Sequence, residues 1–299
     1  ISNIGGLMFP IIPANSAAVA GNQEGIFGFG APGMTNLVSN AGVVADDVTQ
    51  VGTGRSDLAG TQYGDDKGIF SFGSPSVTNL VSNAGVVASD VAQVGTGRDQ
   101  LAACSYGTDR DKGIFGFGED PPSTLTAITN LVSNAGVVAS DQAATTGTAR
   151  ERLAACEYGD DKGIFGFGRT AGYVSMTNLV SNTAVVASDV SGVGTSRMLL
   201  AACAFGGDQG IFGFGTTGPA VGMTNIVSNT GVVASDVTAV GSGRKHTAAC
   251  EYGGDKGIFG FGNPGPTSDT NLISNTGVCG SDVTGVGTAR VALAACSFN

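Results

Sequence analysis

The residues of this chain that could do chemistry are few. There is one histidine, His246, and a Ser-His-Asp or Cys-His arrangement would have to use it. It stands beside Lys245 where the chain's repeats differ from one another, which fits a surface imidazole better than a catalytic one. The six cysteines are spread along the chain with no Cys-x-x-Cys spacing, so no zinc cluster is drawn. Cys104, Cys156, Cys203, Cys250 and Cys296 share one register, and Cys279 stands where other copies have Val. Their setting reads as small buried apolar residues with free thiols. The alternative is oxidation between subunits through Cys279. Carboxylates recur: Asp46, Asp90, Asp141, Asp189, Asp236 and Asp282 each precede an arginine by eight or nine residues. That spacing reads as a structural ladder of Asp–Arg pairs or turn caps. The alternative is Ca²⁺, joined by the Gly-Asp-Asp turns at Asp65, Asp66, Asp160 and Asp161, which carry oxygen ligands without a regular ligand spacing. No other metal or cofactor is expected, and the inventory argues against an enzyme.

The elements that must position these residues are six copies of one unit. Gly-Ile-Phe-(Gly/Ser)-Phe-Gly begins at Gly25, Gly68, Gly113, Gly163, Gly210 and Gly257, at steps of 43, 45, 50, 47 and 47 residues. Each copy continues through segments of the types Thr-Asn-(Leu/Ile)-(Val/Ile)-Ser-Asn, Val-Val-Ala-Ser-Asp and Gly-Thr-x-Arg, with variants, and ends in a Leu-Ala-Ala-Cys-x-Tyr-Gly type, clearest at Leu101–Gly107. Period-two alternation in Gly-Ile-Phe-Gly-Phe puts Phe27 and Phe29 on one face and Ile26 and Gly28 on the other. An Asn and a Gly between the third and fourth apolar runs mark a tight hairpin. The result is four short strands per unit and no helical period. A period of 43 to 50 residues built from four strands suits a propeller blade.

The order of Arg, a small apolar strand, then Lys-Gly-Ile-Phe-Gly-Phe-Gly resembles a kelch repeat over residues 25 to 298. The resemblance implies an all-β, six-bladed, kelch-like β-propeller of four-stranded blades. The chain departs from that family in lacking Trp and in having Ala31, not a second Gly, after Gly30. A fainter resemblance, in the near-identical Asp-Lys-Gly-Ile-Phe-Gly repeats, is to phage virion and tail-fibre repeat proteins. Galactose oxidase shares the kelch-type scaffold, but its copper site needs more histidine than this chain has.

Residues 21–299 then make the propeller. Residues 292–298 are expected to complete the blade begun by Gly25, closing the ring and removing exposed edges. Residues 1–20 are left as an arm, with Met8, Phe9, Ile11 and Ile12 too apolar for a free tail. They are expected to pack on the ring or on a partner subunit, or a seventh copy of the small apolar strand, at residues 17–21 and spare in a ring of six, enters a neighbouring molecule and builds a filament.

The copies vary in the connections after Gly-Ile-Phe-Gly-Phe-Gly and in the pairs after each arginine: Ser56-Asp57, Asp99-Gln100, Glu151-Arg152, Met198-Leu199, Lys245-His246 and Val291-Ala292. In an up-and-down blade both sets lie at one end. That end is expected to recognise a ligand through Glu119, Asp120, Arg169, Tyr173, Lys245 and His246. The plainer alternative is unconstrained drift.

A net charge of −10 excludes nucleic acid and an anionic membrane surface as partners, and no apolar run is long enough for a transmembrane helix. A start at Ile1, not Met, fits a processed chain. The expected role is a structural or adhesive component of a virion (phage capsid or tail fibre) or of another extracellular assembly, whose partners are its other subunits. The alternatives are a secreted or cell-surface lectin-like protein that binds surface glycans, and a filament subunit joined by strand exchange.

Overall fold

The computed structural model describes residues 23–298 apart from 144–146 and 239. The apolar arm residues Met8, Phe9, Ile11 and Ile12 lie outside the described residues. The described chain is all-β, with one short 3₁₀ turn at Thr108–Arg110. No helix among the described residues is long and apolar enough to cross a membrane.

Each unit forms its own small antiparallel sheet. The inner strands are Ala59–Tyr63, Ala102–Tyr106, Ala154–Tyr158, Ala201–Phe205, Ala248–Tyr252 and Ala294–Phe298. Each pairs with a middle strand carrying the Gly-Ile-Phe segment, such as Lys67–Phe72 or Lys162–Gly166, and that strand pairs with a third, such as Val77–Val81 or Thr177–Val180. Ala294–Phe298 pairs with Glu24–Phe29, so Ile26 faces Cys296 and the chain's last strand stands in the same sheet as its first.

The expected fourth strand is mostly absent. Two sheets have four strands, through Val48–Thr49 and Val91–Ala92; four have three, and there an isolated bridge such as Thr177 to Val190 marks the outer edge. The Val-Val-Ala-Ser segments make one bridge each, such as Val81 to Val87. The reason is an asparagine. Asn79 Nδ2 donates to the Ala88 carbonyl at 2.9 Å and to the Asp90 carboxylate at 2.9 Å, so a side chain holds the segment where a ladder would run.

Period-two alternation also fails at one point. Phe29, Phe72, Phe117, Phe167, Phe214 and Phe261 all have left-handed φ of 63 to 66°. Phe29 therefore joins Ile26 and Phe70 in one cluster, while Phe27 packs with Phe261 in the cluster on the other side. Each sheet thus presents a phenylalanine to both neighbours, and the expectation that Phe27 and Phe29 share one face is overturned. Small residues matter at different places. A Cβ on Gly28 would lie 2.8 Å from the Phe70 ring, and one on Gly25 would lie 2.6 Å from Cys250 Sγ. The repeated glycines are hollows that receive the neighbouring unit's ring and thiol.

The inner strands pack on one another in cyclic order, from Ala59–Tyr63 through each unit in turn to Ala294–Phe298, which packs back against Ala59–Tyr63. One buried arginine per unit staples it to the next. Arg197 lies 4.2 Å over the Phe167 ring of its own unit. It donates to the next unit's Phe214 carbonyl at 2.8 Å and Asn225 Oδ1 at 2.7 Å, and stands 3.7 Å from Asp236. The last staple lands on the first unit: Arg290 donates to the Phe29 carbonyl at 3.0 Å and to Asn36 Oδ1 at 2.6 Å.

Candidate functional site

The recurring carboxylates belong to this stapling. Each accepts from the Thr or Ser that lies two residues before an arginine: Thr195 N and Oγ1 donate to Asp236 Oδ2 at 3.0 and 2.7 Å. In the first unit the position falls to Asp47, not Asp46, because Asn36 and Thr288 reach Asp47. The Thr53 hydroxyl holds the Asp90 carboxyl below its ordinary range. At Asp236 burial pushes upward and is outweighed by the hydrogen bonds of Thr195 and Asn225. Burial in turn lowers Arg197 to about 10 against the pull of Asp236. Two of the turn carboxylates are engaged as well: Asp66 pairs with Lys67 at 2.5 Å and accepts from Asn83 at 3.0 Å, and Asp161 pairs with Lys162 and accepts from Asn182 at 2.9 Å. Among the described residues, no group of three or more His, Cys, Asp or Glu side chains converges as a metal site. All six cysteines are free and buried.

At one end the centre of the cycle is filled. The turn at Thr108–Arg110, the one that departs from its repeats, sends Arg110 inward to Glu251 at 2.6 Å and to the Gly207 carbonyl at 2.5 Å. Glu157 accepts from Ser105 N at 2.8 Å and Oγ at 2.7 Å in the same small cavity of about 40 Å³.

The other end is different. The two variable stretches of each unit are bridged to each other: Ser56 to Ser74, Asp99 to Glu119, Glu151 to Arg169, Met198 to Thr216, Lys245 to Asn263 and Val291 to Ala31. The residue after each bridge turns to the centre. Asp57, Gln100, Arg152, Leu199, His246 and Ala292 all have φ of 55 to 58°. Their backbones form a collar: Asp57 N donates to Ala292 O at 3.0 Å, Gln100 N to Asp57 O at 2.8 Å, and Arg152 N to Gln100 O at 2.8 Å. Leu199 N continues to Arg152 O at 2.9 Å, and His246 N to Leu199 O at 3.0 Å. All six residues line one cavity of about 100 Å³ with Leu58, Leu101, Leu153, Leu200, Leu293 and Thr247. The left-handed conformation follows from the sharp turn between the bridged residue and the inner strand, and it costs about 1 kcal/mol or more per non-glycine residue.

Beside the collar lies a charged cluster. Glu151 is fully buried, ion-paired with Arg169, 3.8 Å from Arg152 and hydrogen-bonded to Glu119. Burial and then the shared hydrogen bond push Glu151 up, while that same bond holds Glu119 down. Burial raises Asp57. Burial, with Arg152 and Lys245 adding repulsion, lowers His246.

Of the residues expected from sequence, Glu119 and Arg169 are brought together through Glu151, His246 lines the cavity, and Lys245 adjoins it. Asp120 pairs with Thr124 in a small hairpin, and Tyr173 is bridged to Arg169 and stays 38% exposed; neither lines the cavity. Asp57, Gln100, Arg152 and Leu199 were within the variable pairs but not singled out. The signal was their position after the arginine, and the left-handed turn that aims them inward leaves no mark in residue type. No family model matches the chain, and no curated protein matches it.

Proposed function

We propose that the chain is a six-bladed, kelch-like β-propeller acting as a non-enzymatic structural and adhesive subunit of an extracellular assembly, such as a phage capsid or tail fibre. The cyclic packing of the inner strands, the last strand's place in the first sheet and the Arg290 staple support the ring. The observation that carries the assembly role is a belt of exposed valines on the outer edge. Val43, Val86, Val137, Val185, Val232 and Val278 are each 64 or 65% exposed, one per unit. Further exposed valines accompany them, for example Val91 with Val94 and Val190 with Val193. Between units the belt opens into apolar grooves, one of about 240 Å³ between Leu80, Val91, Val94 and Val137 and another of about 220 Å³ between Leu179, Val190, Val193 and Val232. Repeated apolar surface of this kind marks contact with other molecules. Met8, Phe9, Ile11 and Ile12 are assigned to the same task. The alternative of a filament joined by strand exchange falls on residues 17–21, which lie outside the described residues.

The test is electron microscopy with sedimentation of the full chain and of a variant with those six valines changed to serine. Native discs joined into fibres or larger particles, dispersed in the variant, are expected. Lone discs in both contradict the assembly role. A second reading, recognition at the variable end, is favoured by the collar, where non-repeated polar side chains converge.

A further inference from the structure

We propose that the mouth bounded by Asp57, Gln100, Arg152, Leu199, His246 and Ala292 is a binding site for one neutral sugar residue, the end of a glycan chain entering at the centre of the cycle. The inference rests on the recognition reading of the variable end and names its ligand.

The first argument is the backbone. The chain places 25 described glycines at positive φ, where they are free of strain. At none of the six collar positions does it do so, although glycine would relieve each one. If the collar served only as a turn, side chains there would be a liability. Six different side chains are instead held in the left-handed conformation at one mouth, which fits retention for what they present.

The second argument is the chemistry presented. Asp57, Arg152 and His246 supply planar acceptors and donors, with Gln100 Oε1 accepting from Arg152 Nε and its Nε2 donating to Asp99, while Leu199, Ala292 and the leucines beneath supply an apolar wall. A pyranose matches this division, with hydroxyls on its edge and C–H groups on its faces. A carboxylate or guanidinium reaches two vicinal hydroxyls at once. The cavity of about 100 Å³ opens to solvent and holds part of one ring, the rest of the glycan standing outside.

The third argument is charge. Around the mouth Asp57, Asp99 and Glu119 stand against Arg152, Arg169 and Lys245, and Glu151 is hydrogen-bonded to Glu119. Both signs meet at the mouth, which selects against a strongly anionic or cationic ligand, because either would meet its own sign.

The experiment titrates the full chain with methyl glycosides of glucose, galactose, mannose and N-acetylglucosamine, using N-acetylneuraminic acid as the anionic probe. The wild type is compared with Asp57→Gly and Arg152→Gly, and saturation transfer to the collar leucine methyls is read in the wild type. The expected result is binding of at least one neutral glycoside with transfer to those methyls, weakened on the order of tenfold in each variant. Absence of neutral-sugar binding, or binding without transfer to the leucine methyls, overturns the proposal. Binding of the acidic sugar alone, lost in the same variants, overturns the neutral-sugar assignment and leaves the recognition reading standing. Binding of any probe unchanged in both variants overturns both.

Discussion

Arg150 and Arg152 stand two residues apart and serve different regions of the molecule. Arg150 is fully buried, lies 4.3 Å over the Phe117 ring, donates to the Phe167 carbonyl at 2.9 Å and faces Asp189 at 3.9 Å. The same arginine stands in every unit. Arg152 is half-buried, occurs in one unit and lines the collar cavity. The repeated residues are committed to joining units, with their hydrogen-bonding groups turned into the protein. The residues that differ gather where the units' ends meet, and nothing in the repeat dictates them. Repetition builds the scaffold and its edge belt; departure from repetition furnishes the mouth.

The comparison is broken most severely at a staple. Arg197→Ala removes the bonds to Phe214 and Asn225 and strands Asp236 beside an empty hollow, so urea unfolding is expected to show a loss of about 3–5 kcal/mol. Arg152→Gly in the same assay is expected to cost less, because Arg169 stays paired with the buried Glu151. A smaller effect comes from filling a hollow. Gly257→Ala would set a methyl 2.6 Å from Cys203 Sγ, costing about 1–3 kcal/mol. Adding Cys203→Ala is expected to restore part of the loss, a coupling that a double-mutant cycle reads directly.

Acid sharpens the contrast further. Asp47, Asp90, Asp141, Asp189, Asp236 and Asp282 all titrate below their ordinary 3.8. A lowered carboxyl contributes stability above its unfolded value and loses it as pH falls through the folded value, so the scaffold weakens on acidification below about pH 4. Asp57 has the opposite sign: its value is raised by burial, so its contribution is full below the ordinary value and lost as pH rises through the raised one. Urea midpoints at neutral pH are therefore expected to rise for Asp57→Asn and fall for Asp236→Asn. A small effect of opposite sign is expected at Leu199→Gly, where relief of a φ of 58° raises stability by up to about 1 kcal/mol.

Much of this scaffold was legible in the sequence. The Gly-Ile-Phe period located every middle strand, and the recurring Asp and Arg marked residues of the staples, but each Asp meets the arginine of the preceding unit, as Asp236 meets Arg197, and not the one eight or nine residues after it. What was hidden is geometric. Asn79 replaces a strand ladder with a side chain, and Phe29 turns left-handed to reach the opposite face; both residue types also fit a plain strand. The choice of Asp47 over Asp46 depends on which carboxylate meets Thr288, a contact 241 residues away in sequence. The candidate site was half legible: variation pointed to the end where the bridged stretches meet, and Glu119, Arg169, Lys245 and His246 lie at or beside the cavity there. Glu151 and Arg152 were obscured because their convergence depends on bridges between two stretches that sequence shows separately.

The most direct measurement is urea unfolding of a variant with Asp57, Gln100, Arg152, Leu199 and His246, together with Ala292, all changed to glycine. If the repeats alone hold the fold, this variant unfolds cooperatively at or above the wild-type midpoint. A midpoint lowered as far as that of Arg197→Ala would show that the collar side chains are part of the scaffold, and would contradict the division between the two regions.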